Sequence, residues 1–177
     1  SAASDVYKRQ YYICIDSDTM YPPKYIETLV QKLEQPDIVA VSSLWSYIPD
    51  KQHPWLGVKL YEFFRDSYLF LQSFKRPELS VRGLVFAYNI AYGRKVGYRV
   101  DIVRGEDGSM ALGLKKYGKI GFIRKRKARA VTGYGTVGAD GSFFNSFKTR
   151  AVKALRNAGN LFIKKEIYED EDSNLIK

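Results

Sequence analysis

The sequence predicts an α/β fold, a mostly parallel sheet flanked by helices, and three observations carry that expectation. Tyr11–Ile15 (YYICI) is wholly apolar and rich in aromatic and β-branched residues, as a central parallel strand covered on both faces reads. Pro22 and Pro23 suit a helix start, and Ile26, Leu29, Val30 and Leu33 follow at the i, i+3, i+4, i+7 spacing of one helix face. Ile38–Ser43 (IVAVSS) then reads as a second buried strand. Strand, helix and strand in this length form a βαβ unit, which implies a parallel sheet.

The later elements follow from the same logic. Tyr47–Trp55, with Pro49 and Pro54, reads as a loop, and Leu56–Phe74 as a long helix striped by Tyr61, Phe64, Tyr68 and Phe70/Leu71. Val81–Tyr88 reads as a strand, and Asn89–Val96 as a short helix stopped by Gly97. Val100–Val103 is extended, and Glu106 opens a helix to about Tyr117, with Gly118 as its stop. Ile120–Ile123 and Ala128–Val131 are expected strands, Thr132–Gly141 a glycine-rich loop, and Ser142–Ala158 an amphipathic helix. Residues 1–10 (SAASDVYKRQ) have no apolar period and read as a non-native leader. The expected organisation is that leader, a main α/β domain over 11–141, and a helix and tail over 142–177.

Composition narrows the chemistry. At 177 residues the chain suits one domain that buries roughly 70% of its unfolded surface. One cysteine, Cys14, excludes a disulfide framework and multi-cysteine metal sites. One histidine, His53, in a proline-rich loop, excludes His-rich metal sites and leaves carboxylates as the main catalytic candidates. No apolar run approaches the ~20 residues of a membrane span, so the expected location is cytoplasmic, with peripheral contact at the inner face of a membrane. The net charge is +10, and its distribution is uneven: residues 1–114 hold 14 basic and 13 acidic residues, residues 115–177 hold 15 and 6. Lys115–Arg129 alone has eight basic residues and no acid, a pattern that favours phosphate-bearing partners or an anionic membrane surface.

Two acidic clusters stand out by position. Asp16 and Asp18 follow directly on an apolar strand, at the sheet edge where α/β proteins bind ligands. Two carboxylates one residue apart on a turn suit a hard cation, Mg²⁺ or Mn²⁺, that keeps open positions for a diphosphate. The plainer alternative is that either one caps the turn. Glu106 and Asp107 open a helix, where free backbone N–H groups and the helix dipole stabilise an anion. Acids at helix starts are common for that structural reason alone.

Taken together, IDSDT after an apolar strand, PPKYIETLVQKL, IVAVSS and GEDGSMALGLKKYGKIGFI resemble the family 2 glycosyltransferases of GT-A, Rossmann-like fold, over about Tyr11–Val131. Asp107 follows Asp18 by 89 residues, with RGLVFAYN between them. The resemblance implies that Asp18 and Asp16 bind the divalent metal and the nucleotide-sugar diphosphate. It also implies that Asp107 is the catalytic base, with Glu106 orienting the loop or touching the acceptor. The implied partners are a UDP- or GDP-linked sugar donor and a glycan or lipid-linked acceptor, and no nucleic acid. Trp45, Trp55 and Tyr134 are candidates for stacking on acceptor sugars, though packing is their more ordinary role.

The N-terminal strands that carry the family's base and ribose contacts have no counterpart, so the chain reads as the C-terminal portion of a catalytic domain, inactive by itself. No Gln-x-x-Arg-Trp motif follows Asp107, which argues against the processive polysaccharide synthases. Two other readings compete. The haloacid dehalogenase phosphatases also place Asp-x-Asp after an apolar strand, but want Thr or Val where Met20 stands. A basic nucleic-acid or anionic-membrane binding module would explain the charge without catalysis.

Overall fold

The computed structural model describes residues 10–51, 53–99 and 105–133, and within them the fold is mixed α/β. The chain runs β1 (Tyr11–Ile13), β2 (Thr19–Met20), α1 (Tyr25–Leu33), β3 (Ile38–Ser43), β4 (Trp45–Tyr47), α2 (Trp55–Lys75), β5 (Phe86–Asn89), α3 (Ile90–Val96), α4 (Glu106–Leu114), β6 (Lys119–Ile123) and β7 (Ala130–Thr132). Four strands form the main sheet in the order β1-β5-β3-β6, and a second sheet has the order β2-β7-β4.

The main sheet is mixed, not mostly parallel. β3 and β6 pair in parallel, whereas β5 is antiparallel to both β1 and β3. β1 and β3 therefore run the same way but are separated by β5, so the expected βαβ unit spans an intervening strand. Among the described strands β1 stands at the end of the sheet order, not in its middle. It pairs only with β5 among the described strands, and Tyr12 is 45% exposed. An aromatic, β-branched run reads alike at an edge and in the middle, because periodicity does not register what lies on the far side.

Side-chain alternation sorts the core into two layers. Phe86 and Tyr88 of β5 pack with Met110, Ala111 and Leu114 of α4, while Ala87 between them joins Tyr25, Leu29 and Leu33 of α1. The buried face of α1 is Tyr25, Thr28, Leu29 and Leu33, one residue round from the expected stripe, and Ile26 is 57% exposed. A third cluster, with Leu44, Trp45, Tyr47, Val58, Leu69 and Val85, seats α2 beside the smaller sheet.

Other boundaries moved as well. Trp45–Tyr47 is a strand held in parallel by β7, where a loop was expected from Tyr47 onward. The expected strand from Val81 is a 3₁₀ turn over Gly83–Val85, with extended pairing only from Phe86. α4 ends at Leu114, short of Tyr117. Asn89 caps α3, its side chain accepting from Ala91 N–H at 2.9 Å, and Gly97 at φ 71° ends that helix. The expectations for residues 1–9, Val100–Val103 and everything after Gly133, including the helix over Ser142–Ala158, lie outside the described residues. No helix among the described residues is long and apolar enough to cross a membrane.

Candidate active site

β1 ends at Ile13, and two residues on its apolar run meets Asp-Ser-Asp-Thr, residues whose side chains favour turns over ladders. Thr19 N–H donates to the Asp16 carbonyl at 3.3 Å, and Asp16, Ser17 and Asp18 stand exposed at the C-terminal end of the strand. Thr19 Oγ1 donates to Asp18 Oδ1 at 3.2 Å and orients that carboxylate. Tyr21 pins the turn from below. Its hydroxyl accepts from Asp16 N–H at 2.8 Å and donates to the Leu84 carbonyl at 2.9 Å, while its ring leans on Tyr25 of α1.

Asp107 comes to the same edge from a different direction. Gly105, at φ 88°, takes a left-handed conformation that L side chains resist, and α4 begins immediately after it. Asp107 then lies against Gly83, whose backbone N–H favours the charged carboxylate. A β-carbon at Gly83 would sit 2.5 Å from Asp107 Oδ2, so any side chain there would push that carboxylate out of its present position. Gly83 directly precedes Leu84, the residue that Tyr21 grips. One short segment before β5 thus touches both acidic clusters, because antiparallel β5 starts beside the point where β1 ends.

The electrostatics agree with that proximity. Burial pushes the Asp107 carboxyl above its ordinary value, the charges of Glu106 and Asp16 push it further, and Arg82 and the Gly83 N–H oppose them. Asp16, though exposed overall, is raised as well, by the partial desolvation of its carboxyl first and then by Asp18. Cys14 lies just before the turn, and burial holds its thiol up at about 11, so it is no thiolate nucleophile at neutral pH.

Asp16 and Asp18 offer oxygen donors close enough to feel each other's charge. No group of three or more His, Cys, Asp or Glu able to hold a metal occurs among the described residues. Two carboxylates suit Mg²⁺ or Mn²⁺ shared with phosphate oxygens and water, not an all-protein cage. In that sense the donor set fits the cation expected from sequence.

The remaining candidates lie elsewhere. Trp45 is 6% exposed in the α2 core, with the Arg65 guanidinium 4.3 Å over its ring. Trp55 is exposed at the start of α2, and Tyr134 is outside the described residues. His53 is buried, with Nδ1 2.8 Å from Asp50 in the loop before α2. Lys115–Arg129 is not one uniform patch. Lys115 pairs with Glu78 at 3.0 Å, Lys119 with Asp37 at 3.5 Å and Arg129 with Asp66 at 2.7 Å, which leaves exposed Lys116 and the contiguous exposed run Arg124–Lys127. Sequence reasoning missed Tyr21, Arg82 and Gly83 as site residues. Only Gly83 carried a signal, a glycine interrupting an otherwise strand-like run.

No family model matches the chain, and no curated protein matches it significantly. The site is therefore read from its own chemistry.

Proposed function

We propose that this chain carries the acidic site of a metal-dependent, inverting glycosyltransferase of the family 2, GT-A type. It would move a sugar from a UDP- or GDP-linked donor to the hydroxyl of a glycan or lipid-linked acceptor. The observation that supports this most is the approach of Asp16 and Asp107 at one sheet edge, with Gly83 packed against the Asp107 carboxylate. Asp107 takes the proton of the acceptor hydroxyl as that oxygen attacks the anomeric carbon. Attack from the face opposite the departing nucleoside diphosphate, in one displacement, inverts the configuration. A base works best when its pKa approaches the working pH, and burial moves Asp107 in that direction. Glu106, beside it, orients the loop or meets the acceptor. Asp18 and Asp16 would hold Mn²⁺ or Mg²⁺, which when bound neutralises charge on the diphosphate.

The test is Asp107→Asn in the active protein, with donor turnover and Mn²⁺-dependent nucleotide binding measured side by side. Transfer should fall by about 10²–10⁴-fold while binding persists. Unchanged turnover would remove Asp107 from the role of base.

A further inference from the structure

α2 is a 21-residue helix that leaves an apolar face uncovered. Leu56, Leu60, Phe63, Leu71 and Phe74 recur along one side at helical spacing, each more than half exposed, and Trp55 and Phe64 flank them. At ~1.5 Å per residue this stripe is about 30 Å long, more than scattered surface hydrophobics explain. The helix has two acids, and neither contributes negative charge to that face. Glu62 is 5% exposed and paired with Lys59 at 2.9 Å, and Asp66 is paired with Arg65 and Arg129, both at 2.7 Å.

The exposed basic cluster adjoins the same helix. The Arg124 guanidinium lies 4.1 Å over the Phe70 ring, and Phe70 packs edge-on against Phe74 with centroids 4.7 Å apart. Arg124, Lys125, Arg126 and Lys127 are all exposed. Apolar and aromatic side chains beside clustered cations, with no free acid between them, match the headgroup region of an anionic bilayer. The chain's own segment 142–158 complements the face less well, because it carries Lys148, Arg150, Lys153 and Arg156 and no acid.

We infer that the exposed face of α2, together with Arg124–Lys127, docks the protein on an anionic membrane surface. The inference is independent of glycosyl transfer. The test is sedimentation of the full chain with phosphatidylcholine vesicles, with and without phosphatidylglycerol, while the fluorescence of Trp55 is followed in a Trp45→Phe background. The protein should sediment with the anionic vesicles only, and Trp55 should pass from quencher-accessible to shielded. Replacing Arg124–Lys127 with Gln should weaken binding at least about tenfold. Leu56→Gln/Leu60→Gln/Phe63→Gln should do the same through lost apolar insertion. These positions are exposed, so both variants should remain folded by circular dichroism. Absence of anionic-vesicle binding, or undiminished binding by the folded helix variant, would overturn the inference. So would a Trp55 already shielded without vesicles, since the face would then be covered by the chain itself or by a second copy.

Discussion

The carboxylates on the two sides of this molecule face opposite electrostatic conditions. Around α2, Glu62 and Glu78 are almost fully buried and surrounded by cations. Burial alone would raise both, but it is outweighed. Lys59, the Tyr47 N–H and Arg129 hold Glu62 below its ordinary value, and Lys115 and Arg76 help hold Glu78 down. At the edge of the main sheet, Asp16 and Asp107 are raised, and the charges that raise them belong to other acids. The first pair links secondary-structure elements, tying the 3₁₀ turn at Pro77–Ser80 to α4's end and α2 to β4. The second arrangement opposes folding and persists because packing enforces it. Burial and the neighbouring acids both push these carboxylates up, which is the pattern that makes them the candidates for the proposed site.

Several substitutions sharpen the contrast, beginning with the largest expected effect. Glu78→Ala removes the buried carboxylate that Arg76 and Lys115 share and should cost about 3 kcal/mol, read from urea unfolding. Gly83→Ala should displace the Asp107 carboxylate and cut transfer by about 10²-fold, with far-ultraviolet circular dichroism unchanged. Tyr21→Phe removes one hydroxyl that serves both Asp16 and Leu84, so a loss of about 1 kcal/mol is expected in the same unfolding assay.

The smallest effect concerns pH and has opposite signs on the two sides. Glu62 and Glu78, depressed below 4.5, contribute stability that is complete above that value and is lost as pH falls through their folded pKa values. Asp107, raised above 3.8, does the reverse. It binds its proton more tightly when folded, so stability declines as pH rises from below 3.8 through its folded value. Asp107→Asn should therefore melt slightly higher than the parent at pH 7 and lose that advantage near pH 3. A lower melting temperature at neutral pH would place Asp107 among the structural acids.

Much of the element order was legible in the sequence, because β3, α2, α3 and β6 are marked by runs and stops that depend on near neighbours. β2 and β4 were not, since strands of two or three residues show no period. The parallel sheet failed for a different reason. The antiparallel insertion of β5 between β1 and β3 is a tertiary choice that no local pattern encodes. The phase of α1 slipped by one residue because Thr28 faces inward, its hydroxyl satisfied by the Lys24 carbonyl at 2.6 Å, while apolar Ile26 faces out.

For the candidate site, acids at a strand end and a helix start were visible as candidates from their positions alone. The contacts that assemble them were not. Tyr21 reads as a core aromatic and Arg82 as a surface cation until β5 brings Leu84 and Gly83 against the two acidic clusters. On α2 the stripe marked in the sequence was Tyr61, Phe64, Tyr68 and Phe70/Leu71, whereas the exposed one runs through Leu56, Leu60, Phe63, Leu71 and Phe74. Amphipathic spacing identifies an apolar face without saying what covers it.

The central claim is that Asp16, Asp18 and Asp107 form one site. Paramagnetic broadening by Mn²⁺, titrated with a nucleoside diphosphate into ¹⁵N-labelled protein, tests it most directly. The account predicts that the amides of Asp16–Thr19, Gly83 and Asp107 broaden together, and that Asp18→Ala abolishes the effect at all of them. Broadening at the Asp16–Thr19 turn that leaves Gly83 and Asp107 sharp would contradict it.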